Sequence, residues 1–162
     1  MDVFQLLGDF LHLIAILLLL LKIIASKTVV GLSYKTQEMF LLVFLTRYSD
    51  MLLEHHWGSL YFNLMRFIFI GITAFTIYHM RFKRPYDQEA DSFNHYYLYL
   101  AAFVLGLVLH SKFSVYGIFQ AFSWWLEAVA ILPQLYMIAR FNDVENITAH
   151  IVLFLGLYRA FY

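Results

Sequence analysis

The chain has 162 residues, 62% hydrophobic and 14% charged, with 11 basic side chains balancing 11 acidic ones. A mean hydropathy of +0.70 is more apolar surface than a soluble domain of this length can bury, and zero net charge offers nucleic acid no bulk attraction. No cysteine is present, which excludes disulfide staples and thiolate zinc sites.

The pattern predicts an all-α polytopic membrane protein with six crossing segments in a single transmembrane domain, residues 1–162. The amino terminus does not read as a cleavable signal, because Asp2 stands where a basic segment belongs and no small-residue site follows the apolar run. The first segment runs from about Phe4 to Ile24, the second from about Gln37 to Leu53 and the third from about Leu60 to Met80. The fourth, about Tyr96 to Leu109, is short; the fifth runs from about Val115 to Ile138, and the sixth from about Ala149 onward.

Basic residues set the orientation. Lys22, Lys27 and Lys35 flank the first connection, and Arg81, Lys83 and Arg84 open the third. Positive-inside places that side in the cytosol and the amino terminus in the lumen. Asn146-Ile147-Thr148 fits the glycosylation sequon but faces the cytosol on this topology, so it is expected to be unmodified.

Depth then singles out a site. At about 1.5 Å of rise per residue, Arg47 and Arg159 lie roughly 15 Å from the cytosolic ends of their segments. Glu127 and His12 approach the same level from the luminal side. An ionisable residue inside a span is a functional hypothesis by default, at a cost of about 2.5–3.5 kcal/mol per charge at the bilayer centre. Arg47, Asp50 and Glu54 share one face of a continuous helix, Asp9 and His12 share another, and Gln120, Ser123, Glu127 and Gln134 form a stripe. Tyr158, Arg159 and Tyr162 make the sixth segment polar and aromatic. Four stripes on four apolar helices predict a shared interior cavity, cationic in excess, suited to an anionic or carboxylate-bearing ligand entering from the lumen. A histidine side chain free in water titrates at about pH 6.5, so His12 would strengthen such binding in mild acid.

Structural readings stand beside the functional one. Arg47 and Asp50 fit a simple intrahelical pair, Glu127 a counter-ion to Arg159, and His12 a hydrogen-bonded core histidine. Pro133 fits a plain kink. Arg66 has no partner visible in the sequence. No nucleophile–base pair, phosphate loop or metal-ligand spacing appears, so neither an enzyme nor a cofactor is expected.

Several stretches carry a resemblance: Leu7-Gly8-Asp9 to His12-Leu13, Gly31 to Gln37, Thr46-Arg47-Tyr48-Ser49-Asp50, Phe122-Ser123, Leu126-Glu127, Val129 to Leu135, and Gly156-Leu157-Tyr158-Arg159. Together they resemble the K-D-E-L receptor family, the ER lumen protein-retaining receptors, which share the PQ-loop, SWEET-like helical bundle of small sugar transporters. The likeness implies a seven-helix receptor, six segments of which are present. Such a receptor captures soluble ER residents by a C-terminal K/H-D-E-L-type tetrapeptide in the acidic Golgi and releases them in the ER. It implies that Arg47 and Tyr48 meet the peptide carboxylate, that Tyr158, Arg159 and Tyr162 form the opposite wall, and that Asp50 meets the basic first residue or supports the wall. Glu127 would belong to the buried charge network and His12 to the pH lock. A weak internal likeness, Lys27–Ser33 to Asp143–Thr148, agrees with repeated helix triplets.

The chain departs from that pattern at Gln5, where the family has arginine, at Gly117, where it usually has glutamate, and at Gln120, where it has tryptophan. Glu54 offers a carboxylate that partly replaces the missing one. The family also continues past Tyr162 with the rest of that helix, a seventh helix and a lysine-bearing cytosolic tail that recruits coat machinery. The sequence is therefore expected to be C-terminally incomplete. Two alternatives remain open, a small-solute transporter of the same architecture and a non-binding paralogue.

Overall fold

The computed structural model of the chain describes residues 3–25, 27–53, 59–83, 86–141 and 146–161. Eight α-helices carry the fold among them. α1 (Val3–Ala25) is a leucine-rich run long enough to cross a bilayer. The chain then turns through Lys27 and Gly31, both at positive φ (53° and 79°). Ser33 starts α2 (Tyr34–Arg47) by accepting a hydrogen bond from the Thr36 amide, as N-cap serines do. α3 (Asp50–Leu53) is a single turn. α4 (Leu60–Tyr78) runs on into one π-helical turn, His79–Lys83. α5 (Tyr96–Val108), α6 (Val115–Val129), α7 (Leu132–Phe141) and α8 (Asn146–Phe161) complete the set.

The protein is a polytopic helical membrane protein. Leu6–Ala25, Leu60–Lys83 and Val115–Arg140 are long and apolar enough to span alone, while Tyr96–Val108 and Ile147–Phe161 are apolar but shorter. Phe67, Leu100, Val108, Trp124 and Leu153 point outward, as side chains facing lipid do. The core gathers Ile16, Leu19 and Ile23 of α1, Met39, Val43 and Phe44 of α2, Leu126 of α6, and Ile151 and Leu155 of α8. α1 packs along α8 and α5 along α6, while α2 touches α4, α6 and α7.

Two of the predicted segments are each divided into two helices. The second stops at Arg47. The Tyr48 amide donates to Phe44 O at 2.9 Å, and the Ser49 hydroxyl turns back to Thr46 O at 2.8 Å, a local bond that competes with the helix ladder. Asp50 then opens α3, so Arg47 and Asp50 do not share a helical face and do not pair. The fifth segment breaks at Ala130 and Ile131, between α6 and α7. Pro133 lacks an amide proton and its ring would clash with the carbonyl four residues back, so the break falls just ahead of it.

That break is held by a carboxamide. Gln134 Oε1 accepts from the Ser33 amide at 2.8 Å, its Nε2 donates to Gly31 O at 2.8 Å, and its own amide donates to Thr36 Oγ1 at 3.0 Å. Gly31 sits at φ +79°, where a side chain would be strained. Close by, Lys22 is 1% exposed. Its Nζ donates to Thr148 Oγ1 at 2.5 Å and to Val30 O at 3.2 Å. The sequon hydroxyl is therefore already engaged inside the bundle. Asp91 ties the connection before α5 to the start of α2. Its Oδ2 accepts from Ser33 Oγ at 2.9 Å, from the Lys35 amide at 3.2 Å and from the Tyr86 hydroxyl. Burial first, and that bond second, hold the Tyr86 phenol above its ordinary pKa.

Candidate binding site at mid-bundle

Glu127 lies on the face of α6 turned toward α2 and α8, with 3% of its side chain exposed. Its Oε2 takes Arg47 Nη2 from α2 at 2.6 Å and Arg159 Nη1 from α8 at 2.9 Å. Its Oε1 accepts the Tyr158 hydroxyl at 3.1 Å. Arg47 is steadied further by Ser123, whose Oγ accepts from Nε at 3.3 Å while the hydroxyl donates to Gln120 O at 2.7 Å. Two guanidinium groups thus share one carboxylate. The surplus is one positive charge, held where desolvation makes an unpaired ion expensive.

His12 stands beside this cluster. Its ring stacks on Tyr158 at 4.1 Å between centroids, 12° apart, and is enclosed by Phe40, Phe44 and Phe69. A void of about 10 Å³ borders His12, Gln37 and Thr73, roughly one water molecule in size. Tyr158, on which His12 stacks, is itself bonded through its hydroxyl to the Glu127 carboxylate.

A larger cavity, about 140 Å³, opens among Asp9, Arg47, Tyr48, Phe62, Met65, Arg66 and Phe69. Its walls are α1, α2 and α4. From the sequence, the cavity is expected between the first, second, fifth and sixth segments, with Tyr158 and Arg159 as the facing wall. Instead α4 supplies that wall, and Arg159 contributes through Glu127. The reason is the helix break after Arg47, which lets Tyr48 turn toward α4. There Arg66 lies with its guanidinium carbon 5.3 Å from the Tyr48 ring centroid and Nη2 3.0 Å from Asp50 Oδ2. Asp9 accepts the Tyr61 hydroxyl at 3.3 Å.

Arg66 is the cation for which the sequence shows no partner. The available signal is its own position, a charge seven residues into an apolar helix; its partner is Asp50 of α3, 16 residues earlier, beyond any helical spacing rule. Of the residues singled out from sequence, Arg47, Tyr158, Arg159, Glu127 and His12 converge, Tyr48 borders the cavity, and Asp50 joins it through Arg66. Glu54, Tyr162 and the side chain of Gln5 lie outside the described residues.

Gly117 and Gln120 are not among the cavity's lining residues. Gly117 is buried at the start of α6, where its amide donates to the Ser114 cap at 3.0 Å. A Cβ there would lie 2.2 Å from Lys112 O, so the tight approach of the preceding loop requires glycine. Among the described residues no cluster of His, Asp and Glu is arranged to hold a metal ion.

The whole arrangement suits a ligand that brings a carboxylate, which would complete the unequal pairing of Arg47 and Arg159. Residues 28–162 match the family model of the ER lumen protein retaining receptor. The chain is 48% identical over 166 residues to ER lumen protein-retaining receptor A of Arabidopsis thaliana, covering all of this chain and 76% of that protein. It is 46% identical over 164 residues to ER lumen protein-retaining receptor 2 of Xenopus tropicalis, and 42% identical over 167 residues to the ER lumen protein-retaining receptor of Plasmodium falciparum, with the whole chain covering 76% and 75% of them. A family match over most of the chain and identities of this size leave one conclusion: the chain belongs to the ER lumen protein-retaining receptor family.

Proposed function

We propose that this chain is a retrieval receptor with a single transmembrane domain over residues 1–162. It binds the C-terminal tetrapeptide of soluble ER residents, of the K/H-D-E-L type, in Golgi membranes and returns them to the ER. The observation that carries the reading is the pair of guanidinium groups, Arg47 and Arg159, sharing the single carboxylate of Glu127. A peptide carboxylate arriving at Arg47 from the cavity supplies the second anion. Tyr48 lines the approach, and Asp50 meets the peptide's basic residue.

Binding is tighter in acid on this reading. Protonation of His12 adds a cation against Tyr158, next to Glu127, Arg47 and Arg159, and the added charge is best compensated when an anion occupies the cavity. Coat machinery would engage the cytosolic side of the loaded receptor, as the family resemblance implies.

The test is binding of a labelled peptide ending in Lys-Asp-Glu-Leu to membranes carrying the full reading frame, at roughly pH 5.5 and pH 7.2, to either side of the ordinary titration range of histidine. Binding favoured at the lower pH and reduced about ten- to hundred-fold by Arg47→Ala is expected, since an ionic hydrogen-bonded contact is worth about 1.5–3 kcal/mol. Absence of binding at both pH values overturns the reading. Uptake of a small solute without peptide binding replaces it with a transporter.

A further inference from the structure

We propose that a second cavity, at the end of the bundle that carries the basic connections, binds a phosphorylated polyol ring, the chemistry of an inositol phospholipid headgroup. The inference is separate from peptide capture and needs only the orientation that positive-inside assigns, with this end in the cytosol. The cavity holds about 650 Å³, against 140 Å³ at mid-bundle. Its walls are the start of α2, the π-helical turn after α4 and the connection that leads into α5. Two cations face it, and neither is paired with a carboxylate. Lys35 Nζ donates to two carbonyls, Asp91 O and, at 2.9 Å, Phe93 O. Arg81 Nη1 donates to the Tyr34 hydroxyl at 3.3 Å, and the residue is exposed.

Two carboxylates face the cavity as well, and they decide what kind of anion fits. Glu38 Oε2 lies 3.4 Å from His95 Nε2. Asp91 is buried and spends one oxygen, Oδ2, on three neutral donors: Ser33 Oγ, the Lys35 amide and the Tyr86 hydroxyl. Its other oxygen, Oδ1, is buried without a partner, and so is Nδ1 of His95. A bare phosphate at Lys35 and Arg81 leaves both of these atoms unmet and is repelled by the carboxylates. A ring that carries hydroxyls beside its phosphate answers both demands. One hydroxyl donates to Asp91 Oδ1 and another pairs with His95 Nδ1, while the phosphate takes Arg81 and the remaining donor of Lys35. Tyr34 and Tyr86, with ring centroids 5.5 Å apart, offer aromatic surface to the ring's C–H face. Phe82 and Tyr97, next in the chain to Arg81 and Tyr96, are exposed and give acyl chains an apolar path at the interface. Basic pockets on the cytosolic side of membrane helices take such headgroups.

The test uses the full reading frame purified into neutral phosphatidylcholine nanodiscs. Three probes are titrated: dioctanoyl phosphatidylinositol monophosphate, dioctanoyl phosphatidylserine and soluble inositol bisphosphate. The inositol lipid is expected to bind at least about ten-fold more tightly than the serine lipid, and Arg81→Gln to weaken it by about ten-fold, the size of one charge-assisted bond. Arg81 is bonded only to a phenol, so this variant is expected to keep the parent melting midpoint. Lys27→Gln, at a basic residue outside the cavity, is expected to leave the affinity unchanged. Inositol bisphosphate bound as tightly as the lipid supports the same chemistry with a free phosphorylated polyol as its source. Equal binding of the two lipids, or equal losses in Arg81→Gln and Lys27→Gln, shows a basic face that attracts charge without a site, and overturns the proposal. Failure of all three probes to bind overturns it too, and leaves the receptor reading untouched.

Discussion

The bundle holds two buried polar assemblies of contrasting economy. Around Gln134 both heteroatoms of the carboxamide meet backbone groups of the first connection, and its own amide meets the Thr36 hydroxyl. Around Glu127 and Asp50 the pairing is uneven. Two arginines share one carboxylate, and the neighbouring Asp50–Arg66 pair leaves a donor and an acceptor unmatched. Buried polar groups cost about 1–3 kcal/mol when unsatisfied. The Gln134 carboxamide avoids that cost; the second assembly carries it and is positioned beside a cavity. Counting partners thus separates a structural joint from a binding site, although both consist of polar residues in apolar helices.

The sharpest way to break the contrast is at Glu127. Glu127→Ala leaves Arg47, mostly buried, and the partly exposed Arg159 with no anion, and is expected to cost about 3–5 kcal/mol, chiefly through Arg47. A lowered melting midpoint in detergent, with little folded protein recovered, would be the readout. An unchanged midpoint would mean that water, not Glu127, compensates the arginines. Gln134→Ala strips partners from the Ser33 amide and the Gly31 carbonyl and is expected to cost about 2–4 kcal/mol. Its distinguishing readout is peptide binding: the ratio of affinities at acid and neutral pH should be unaltered in the protein that remains folded. A changed ratio would move Gln134 from joint to site. The smallest effect is expected at Gly117, where alanine must push its methyl against Lys112 O. Relaxing that contact shifts backbone and is expected to cost about 1–3 kcal/mol, again without altering peptide preference. Stability equal to the parent chain would show that the loop before α6 yields easily.

Much of this was legible in the residues. Depth along apolar runs brought Arg47, Glu127, Arg159 and His12 to one level, because rise per residue is constant and charges in lipid must gather. The cationic excess followed from counting. Arg66 shows where that reasoning stops. Its counter-ion Asp50 belongs to a different helix, and the pairing exists only because the chain leaves helical geometry at Tyr48 and Ser49. Extrapolating one helix from Gln37 to Leu53 put Asp50 beside Arg47 and so hid the partner of Arg66. Nor does the sequence show that Gly117 lies beneath Lys112 O, since that contact depends on how the loop before α6 closes.

By itself, then, the sequence determined the helical membrane class, the interruption near Pro133 and the set of ionisable groups that must meet. These are local or compositional consequences of hydrogen-bond supply, backbone sterics and desolvation. Only the tertiary structure decided who meets whom: Glu127 between two arginines, Asp50 with Arg66, Gln134 with the first connection, and α4 as a wall of the cavity. Partner choice depends on helix packing and on two breaks a residue or two long. A shift of one helical turn, about 5.4 Å, would give every one of these charges a different neighbour.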